Sequence, residues 1–138
     1  MSQKRFWMVA LCLGLLWAAL PIGLAGAQSV SIIVAPESRA STISSGQAVE
    51  TVAILGPVGS TAVVGTLCFG AADRPRSRNC NPVLPTRLND VNNDGIADLE
   101  VRFAIAGSGI RQGDTVACLH GELPGGVAFE ACGPIRTH

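Results

Sequence analysis

The stretch Asp90-Val91-Asn92-Asn93-Asp94-Gly95-Ile96-Ala97-Asp98 places oxygen side chains at its first, third, fifth and ninth positions. Gly95 stands at the sixth, where such a loop turns sharply, and Ile96 at the seventh offers a backbone carbonyl. A hard cation such as Ca²⁺ takes six or more oxygens at once, and this spacing wraps one short loop round one ion. The spacing predicts a single structural calcium held by Asp90, Asn92, Asp94, Asp98 and the Ile96 carbonyl. It departs from the helix-flanked EF-hand pattern, because the twelfth position is Val101 instead of a bidentate Glu and the residues after Asp98 alternate like a strand. One acidic ligand fewer implies weak binding, with Kd about 10⁻⁴ to 10⁻³ M. The competing reading is an Asx-rich turn that binds nothing, since Asn, Asp and Gly favour turns in their own right. Without a cation, Asp90, Asp94 and Asp98 repel one another, and metal converts that repulsion into loop order.

His120 is a weaker candidate. His138 is the last residue, and no second internal histidine, free cysteine or Gly-x-Ser-x-Gly elbow accompanies His120 to complete a triad or a zinc site. The expectation is a non-enzyme, with His120 facing Glu130 in a cross-strand pair. A hydrolase using those two residues is the rival. Arg74, Arg76 and Arg78 fall between Cys68 and Cys80, so a covalent staple there would display three guanidinium groups to a protease pocket or an acidic polymer. The plainer reading is a solvated polar loop.

These groups must be positioned by strands. In Leu99-Glu100-Val101-Arg102-Phe103-Ala104-Ile105 the odd positions are apolar and Glu100 and Arg102 point the other way, giving one buried and one wet face. Short β-branched or alternating runs at residues 30–35, 49–55, 61–69, 98–106, 115–123 and 127–132 are divided by Gly, Pro, Ser and Asn clusters. No helical period is sustained. They predict an all-β fold, a small antiparallel sandwich of six or seven strands. A turn at Pro124-Gly125-Gly126 pairs residues whose numbers sum to 250, setting Cys118 opposite Cys132, His120 opposite Glu130, Leu119 opposite Ala131, and Gly121 opposite Phe129 as a glycine covered by an aromatic ring. A one-residue slip would put the two cysteines on opposite faces. Cys68 to Cys80 follows by elimination, and two disulfides result.

The chain begins like an export signal. Lys4 and Arg5 precede an apolar run from Phe6 to Leu20, then Pro21 and the small residues Leu24-Ala25-Gly26-Ala27. This order predicts a cleaved signal over residues 1–27 and one secreted domain over 28–138; Pro21 and Gly23 argue against a membrane anchor. Cys12 sits within the apolar run and leaves with it. The remaining 111 residues carry eight arginines, ten acids and no lysine, a net charge of −2 that favours neither nucleic acid nor an anionic membrane. They keep Phe69, Phe103 and Phe129 but no Trp or Tyr, so the core rests on Val, Ile, Leu and Ala, and disulfides are expected. Stacking-based sugar recognition has little support.

Several motifs in order resemble a family of bacterial secreted domains. They are Ser31-Ile32-Ile33 with Pro36-Glu37-Ser38; Val52-Ala53-Ile54-Leu55-Gly56; Asp90 to Leu99; Gly113-Asp114-Thr115-Val116-Ala117-Cys118-Leu119-His120-Gly121-Glu122; and Ile135-Arg136. The family pattern reads I-K-P-G-S, V-P-V-A-I-L-G, D-V-N-G-D-G-x-x-D-L and G-D-T-x-A-x-L-x-G-E. Here Ala35 and Glu37 replace the usual Lys and Gly, Thr51 a common proline, and the arginine-rich loop is unlike the pattern. The resemblance implies export, a β fold and a calcium-type loop, and carries no assigned reaction. The resulting expectation is a non-catalytic module, secreted or periplasmic, whose partner is a protein or a cell-surface polymer. The alternative is an inhibitor of an exported enzyme acting through residues 74–78.

Overall fold

A computed structural model describes residues 29–38, 40–44 and 48–138. The expected export signal, residues 1–27, lies outside them. Nine strands form among the described residues: β1 (Ile32–Val34), β2 (Thr42–Ile43), β3 (Val49–Ile54), β4 (Cys68–Ala71), β5 (Pro82–Asn89), β6 (Asp98–Ala104), β7 (Val116–Leu123), β8 (Val127–Pro134) and β9 (Arg136–Thr137). The protein is all-β, and no described helix is long and apolar enough to cross a membrane. One sheet has the order β1-β3-β6-β5 and a second β4-β7-β8, both antiparallel; β2 and β9 make a short parallel pair.

The alternation in β6 works as the sequence implies. Leu99, Val101 and Phe103 are buried, and their partners on β3 across the antiparallel ladder are Ile54, Val52 and Glu50. Phe103 meets Phe69 of β4 with ring centroids 5.5 Å apart, so an aromatic contact joins the two sheets. Val34, Leu67, Leu119 and Ala131 fill the remaining space. The outward face is less wet than expected: Arg102 is exposed, but the Glu100 side chain is only 6% exposed because Arg87 of β5 lies against it.

The β7–β8 hairpin has the predicted register at Cys118–Cys132, Leu119–Ala131, His120–Glu130 and Gly121–Phe129. Gly121 also lies against Leu67. A side chain there would strike Leu67 Cδ2 at 2.6 Å, so Leu67 occupies that space. Both expected disulfides are formed, Cys68–Cys80 and Cys118–Cys132.

Two segments differ from expectation. Residues 61–69 do not make one strand: 3₁₀ turns at Gly59–Thr61 and Val64–Thr66 precede β4. The hydroxyls of Thr61 and Thr66 donate to the carbonyls of Val58 and Val63, each at 2.6 Å, a local closure that competes with strand pairing. Conversely, Pro82–Asn89 is a strand despite two prolines. It lies at a sheet edge, where a missing N–H costs no ladder bond, and its register shifts between Val83 and Arg87.

Candidate functional site

The loop between β5 and β6 brings Asp90, Asp94 and Asp98 together, each offering a carboxylate oxygen within 4.8 Å of the others. Two oxygens bound to one calcium stand no farther apart than about twice a 2.3–2.6 Å bond, so the three satisfy that limit. Backbone conformation produces the convergence. Gly95 has φ of 82° and Asn93 φ of 58°, left-handed values that glycine and asparagine tolerate best, and they turn the loop back on itself.

Each carboxylate is anchored by backbone N–H groups. Asp90 Oδ2 accepts from Gly95 N at 2.8 Å and its Oδ1 from Asp94 N at 3.2 Å. Asp94 Oδ1 accepts from Ile96 N at 2.9 Å. The Asn92 amide stays beside Asp94, donating through Nδ2 to Oδ2 at 3.2 Å. Ile96 enters this network through its N–H.

Asp98 differs from the other two because it is fully buried at the start of β6. Its Oδ1 accepts from Gly56 N at 2.8 Å and its Oδ2 from Val91 N at 3.0 Å. It therefore ties the beginning of the loop to the chain leaving β3. Gly56 is pressed so close that an added Cβ would lie 2.2 Å from the Ala97 carbonyl oxygen. The sequence marked Asp98 as a ligand but carried no sign of this fastening, because Gly56 is 42 residues away. A carboxylate oxygen has two lone pairs, so one N–H bond leaves acceptor capacity toward a cation. The donor set is all oxygen and triply acidic, which suits a hard divalent ion.

The arginine loop does not display three guanidinium groups. Arg78 is buried, its side chain 2% exposed, and it donates to the Ala71 and Ala72 carbonyls, to Glu130 Oε1 at 3.1 Å, and lies 3.0 Å from His120 Nδ1. Because a guanidinium only donates, His120 Nδ1 is the acceptor in that contact. The predicted His120–Glu130 pair is thus bridged by an arginine that the sequence had assigned to the surface. Arg74 pairs with Asp114 and Asp73 and donates to the Gly109 carbonyl at 3.0 Å. Burial pushes the Asp114 carboxyl up, but the Arg111 N–H at 2.7 Å and the Arg74 guanidinium outweigh it and hold the group below its ordinary value. Only Arg76 of the three is exposed.

The same face carries two further convergences, Cys68 and Cys80 with His120, and Cys118 and Cys132 with Glu130. Their sulfurs are consumed in disulfides, so neither cluster is a metal site in the oxidised protein. Disulfides of this kind belong to an oxidising compartment. Comparison with known protein families, curated proteins and solved structures finds no match to this chain.

Proposed function

We propose that the protein is a non-catalytic, exported β module that uses one structural calcium ion to order the loop feeding β6, and that it serves an adhesive or cell-surface role. The observation that carries the reading is the convergence of Asp90, Asp94 and the buried Asp98 at the spacing a calcium loop requires. Asp90, Asn92, Asp94, Asp98 and the Ile96 carbonyl would hold the ion, whose contribution is to neutralise clustered carboxylates. The order of motifs shared with the secreted-domain pattern, the amino-terminal export signal and the two disulfides point to the same setting. His120 serves structure in this reading, since Arg78 occupies its Nδ1.

Thermal unfolding of purified, chelator-treated protein tests the ion. With Kd about 10⁻⁴ to 10⁻³ M, 10 mM calcium stabilises by about 1.4 to 2.7 kcal/mol, a rise in Tm of roughly 5 to 10 °C. An unchanged Tm removes calcium from the proposal. The rival inhibitor reading is left with Arg76 as its one exposed arginine within residues 74–78. Slow, tight inhibition of a trypsin-like protease, lost in Arg76→Ala, would favour it over the module.

A further inference from the structure

The outward face of the β1-β3-β6-β5 sheet holds a groove of about 540 Å³, lined by Glu37, Thr51 of β3, Glu100 and Arg102 of β6, and Pro85, Thr86 and Arg87 of β5. Its origin is the irregular register of β5. Val83 faces Arg102 and Arg87 faces Glu100, so three residues of β5 stand against one of β6 and the edge strand bows away from the sheet. This groove uses no residue of the Asp90 to Asp98 loop.

Three groups in it have unmet bonding capacity: the carboxylates of Glu37, which is exposed, and of Glu100 call for hydrogen-bond donors, and Arg102 calls for an anion. Glu100 is more than nine-tenths buried, and Arg87 Nε donates to its Oε2 at 2.6 Å. That hydrogen bond, with the carboxylate's charge, raises the Arg87 guanidinium above its ordinary value. Oε1 receives no donor from the described residues. Since no fully buried side-chain polar atom among them lacks a partner, Oε1 reaches the groove. A carboxylate oxygen held in a mostly buried position and open only toward a cavity asks for an N–H or O–H donor. Arg102 is exposed and has no acidic partner among the described residues, so its planar fork of five donors asks for an anion.

Glu100 and Arg102 are two residues apart on one strand face, a spacing of roughly 7 Å. A ligand that satisfies both must carry a carboxylate at one end and a hydrogen-bond donor across a small rigid body from it. A neutral α-amino acid has its ammonium and carboxylate on one carbon, too close together to span the pair; only an acidic one such as glutamate carries a second carboxylate far enough away to compete. A sugar acid carries its carboxylate on one side of the ring and hydroxyls on the other. The groove has no aromatic lining, so recognition rests on charge and hydrogen bonds instead of stacking.

We infer that this groove binds an acidic saccharide, a hexuronate unit whose carboxylate pairs with Arg102 and whose ring hydroxyl donates to Glu100 Oε1. The inference names a partner class for the surface role proposed above and rests on that reading for its setting, not for its geometry. Isothermal titration calorimetry of the purified protein in EDTA tests it with trigalacturonate, its neutral methyl ester and free glutamate as probes. Trigalacturonate binds, and the methyl ester binds about tenfold more weakly or not at all. Arg102→Gln, an exposed substitution whose unchanged thermal unfolding shows an intact fold, loses about tenfold for the acid and nothing for the ester. Absence of heat with trigalacturonate overturns the inference, as do equal affinities for acid and ester, an unaffected Arg102→Gln variant, or tighter binding of glutamate. Binding in EDTA without any effect of calcium on Tm would keep the saccharide and discard the ion; the reverse outcome would do the opposite.

Discussion

Asp98→Ala and Asp90→Asn separate the fastening role of one carboxylate from the metal role of the cluster. Asp98 is fully buried, and its two oxygens take the N–H groups of Gly56 and Val91. Truncation to alanine strips both donors of their acceptor. Each loss costs about 1 to 3 kcal/mol for a buried group bonded to a charged partner, so the variant loses about 2 to 6 kcal/mol even with no calcium present. Asp90 is half-buried in a largely exposed loop, and an asparagine there keeps one acceptor oxygen for Gly95 N or Asp94 N. In EDTA its cost is therefore about 0.5 kcal/mol. In calcium both variants fall further below the parent than in EDTA, because each loses a carboxylate ligand and forfeits most of the ion's stabilisation. Urea unfolding followed by circular dichroism, run in EDTA and in 10 mM calcium, reads all four values. An Asp98→Ala variant within about 1 kcal/mol of the parent in EDTA would refute the fastening argument. An Asp90→Asn variant with the full calcium response would refute the ligand assignment.

Other expectations follow from the same geometry. The Asp114 carboxyl is held below its ordinary value, so it favours the folded state above the ordinary carboxylate range and loses that contribution as pH falls from about 4 through the lowered value. Asp114→Asn should flatten the acid side of a Tm against pH curve, and an unchanged curve would deny Asp114 that role. Arg78→Ala removes donors from the Ala71 and Ala72 carbonyls and should cost about 2 to 4 kcal/mol, while Arg76→Ala should stay within about 0.5 kcal/mol in the same urea assay. Replacing Cys118 and Cys132 together by alanine should lower stability by about 2 to 4 kcal/mol under oxidising conditions, and a smaller loss would mean the hairpin holds its register without the bond.

Legibility from sequence divides by the range of the interactions involved. The β7–β8 register was readable because one turn fixes every pairing along both strands, and the two cysteines admit only one parity. The Asp90 to Asp98 loop was readable because its oxygens lie within nine residues, a distance over which spacing controls geometry. Residues 61–69 misled because β-branched residues suit a strand, whereas Thr61 and Thr66 spend their hydroxyls on carbonyls three residues back. β5 was hidden by Pro82 and Pro85, whose meaning changes once the strand is known to lie at an edge. The Arg78 bridge was invisible for a different reason: His120 and Glu130 are 42 and 52 residues away, and no local pattern distinguishes an arginine that reaches them from one that meets water.

That bridge also explains how a domain with three described phenylalanines holds together. On β7 and β8 the odd-numbered Leu119, Phe129 and Ala131 face the other sheet, which leaves Cys118, His120, Glu130 and Cys132 on the outward face. In an ordinary sandwich that face would be wet. Here the Cys68–Cys80 bond draws residues 72–79 across it, Ser108 O closes on Gly70, where an added Cβ would approach to 1.9 Å, and Arg78 binds the carbonyls and side chains beneath. The arginine-rich segment is consequently a second, polar layer stapled over the sheet. Its chemistry is complementary to the thin aliphatic core: apolar burial supplies non-directional attraction, whereas the disulfides and the Arg78 fork fix register and cover. Swapping Arg78 for lysine tests this division, since a point charge cannot reproduce the fork that reaches two carbonyls, a carboxylate and an imidazole at once. Arg78→Lys should recover less than half of the stability lost in Arg78→Ala; full recovery would mean that charge alone, and not the planar donor array, holds the layer in place.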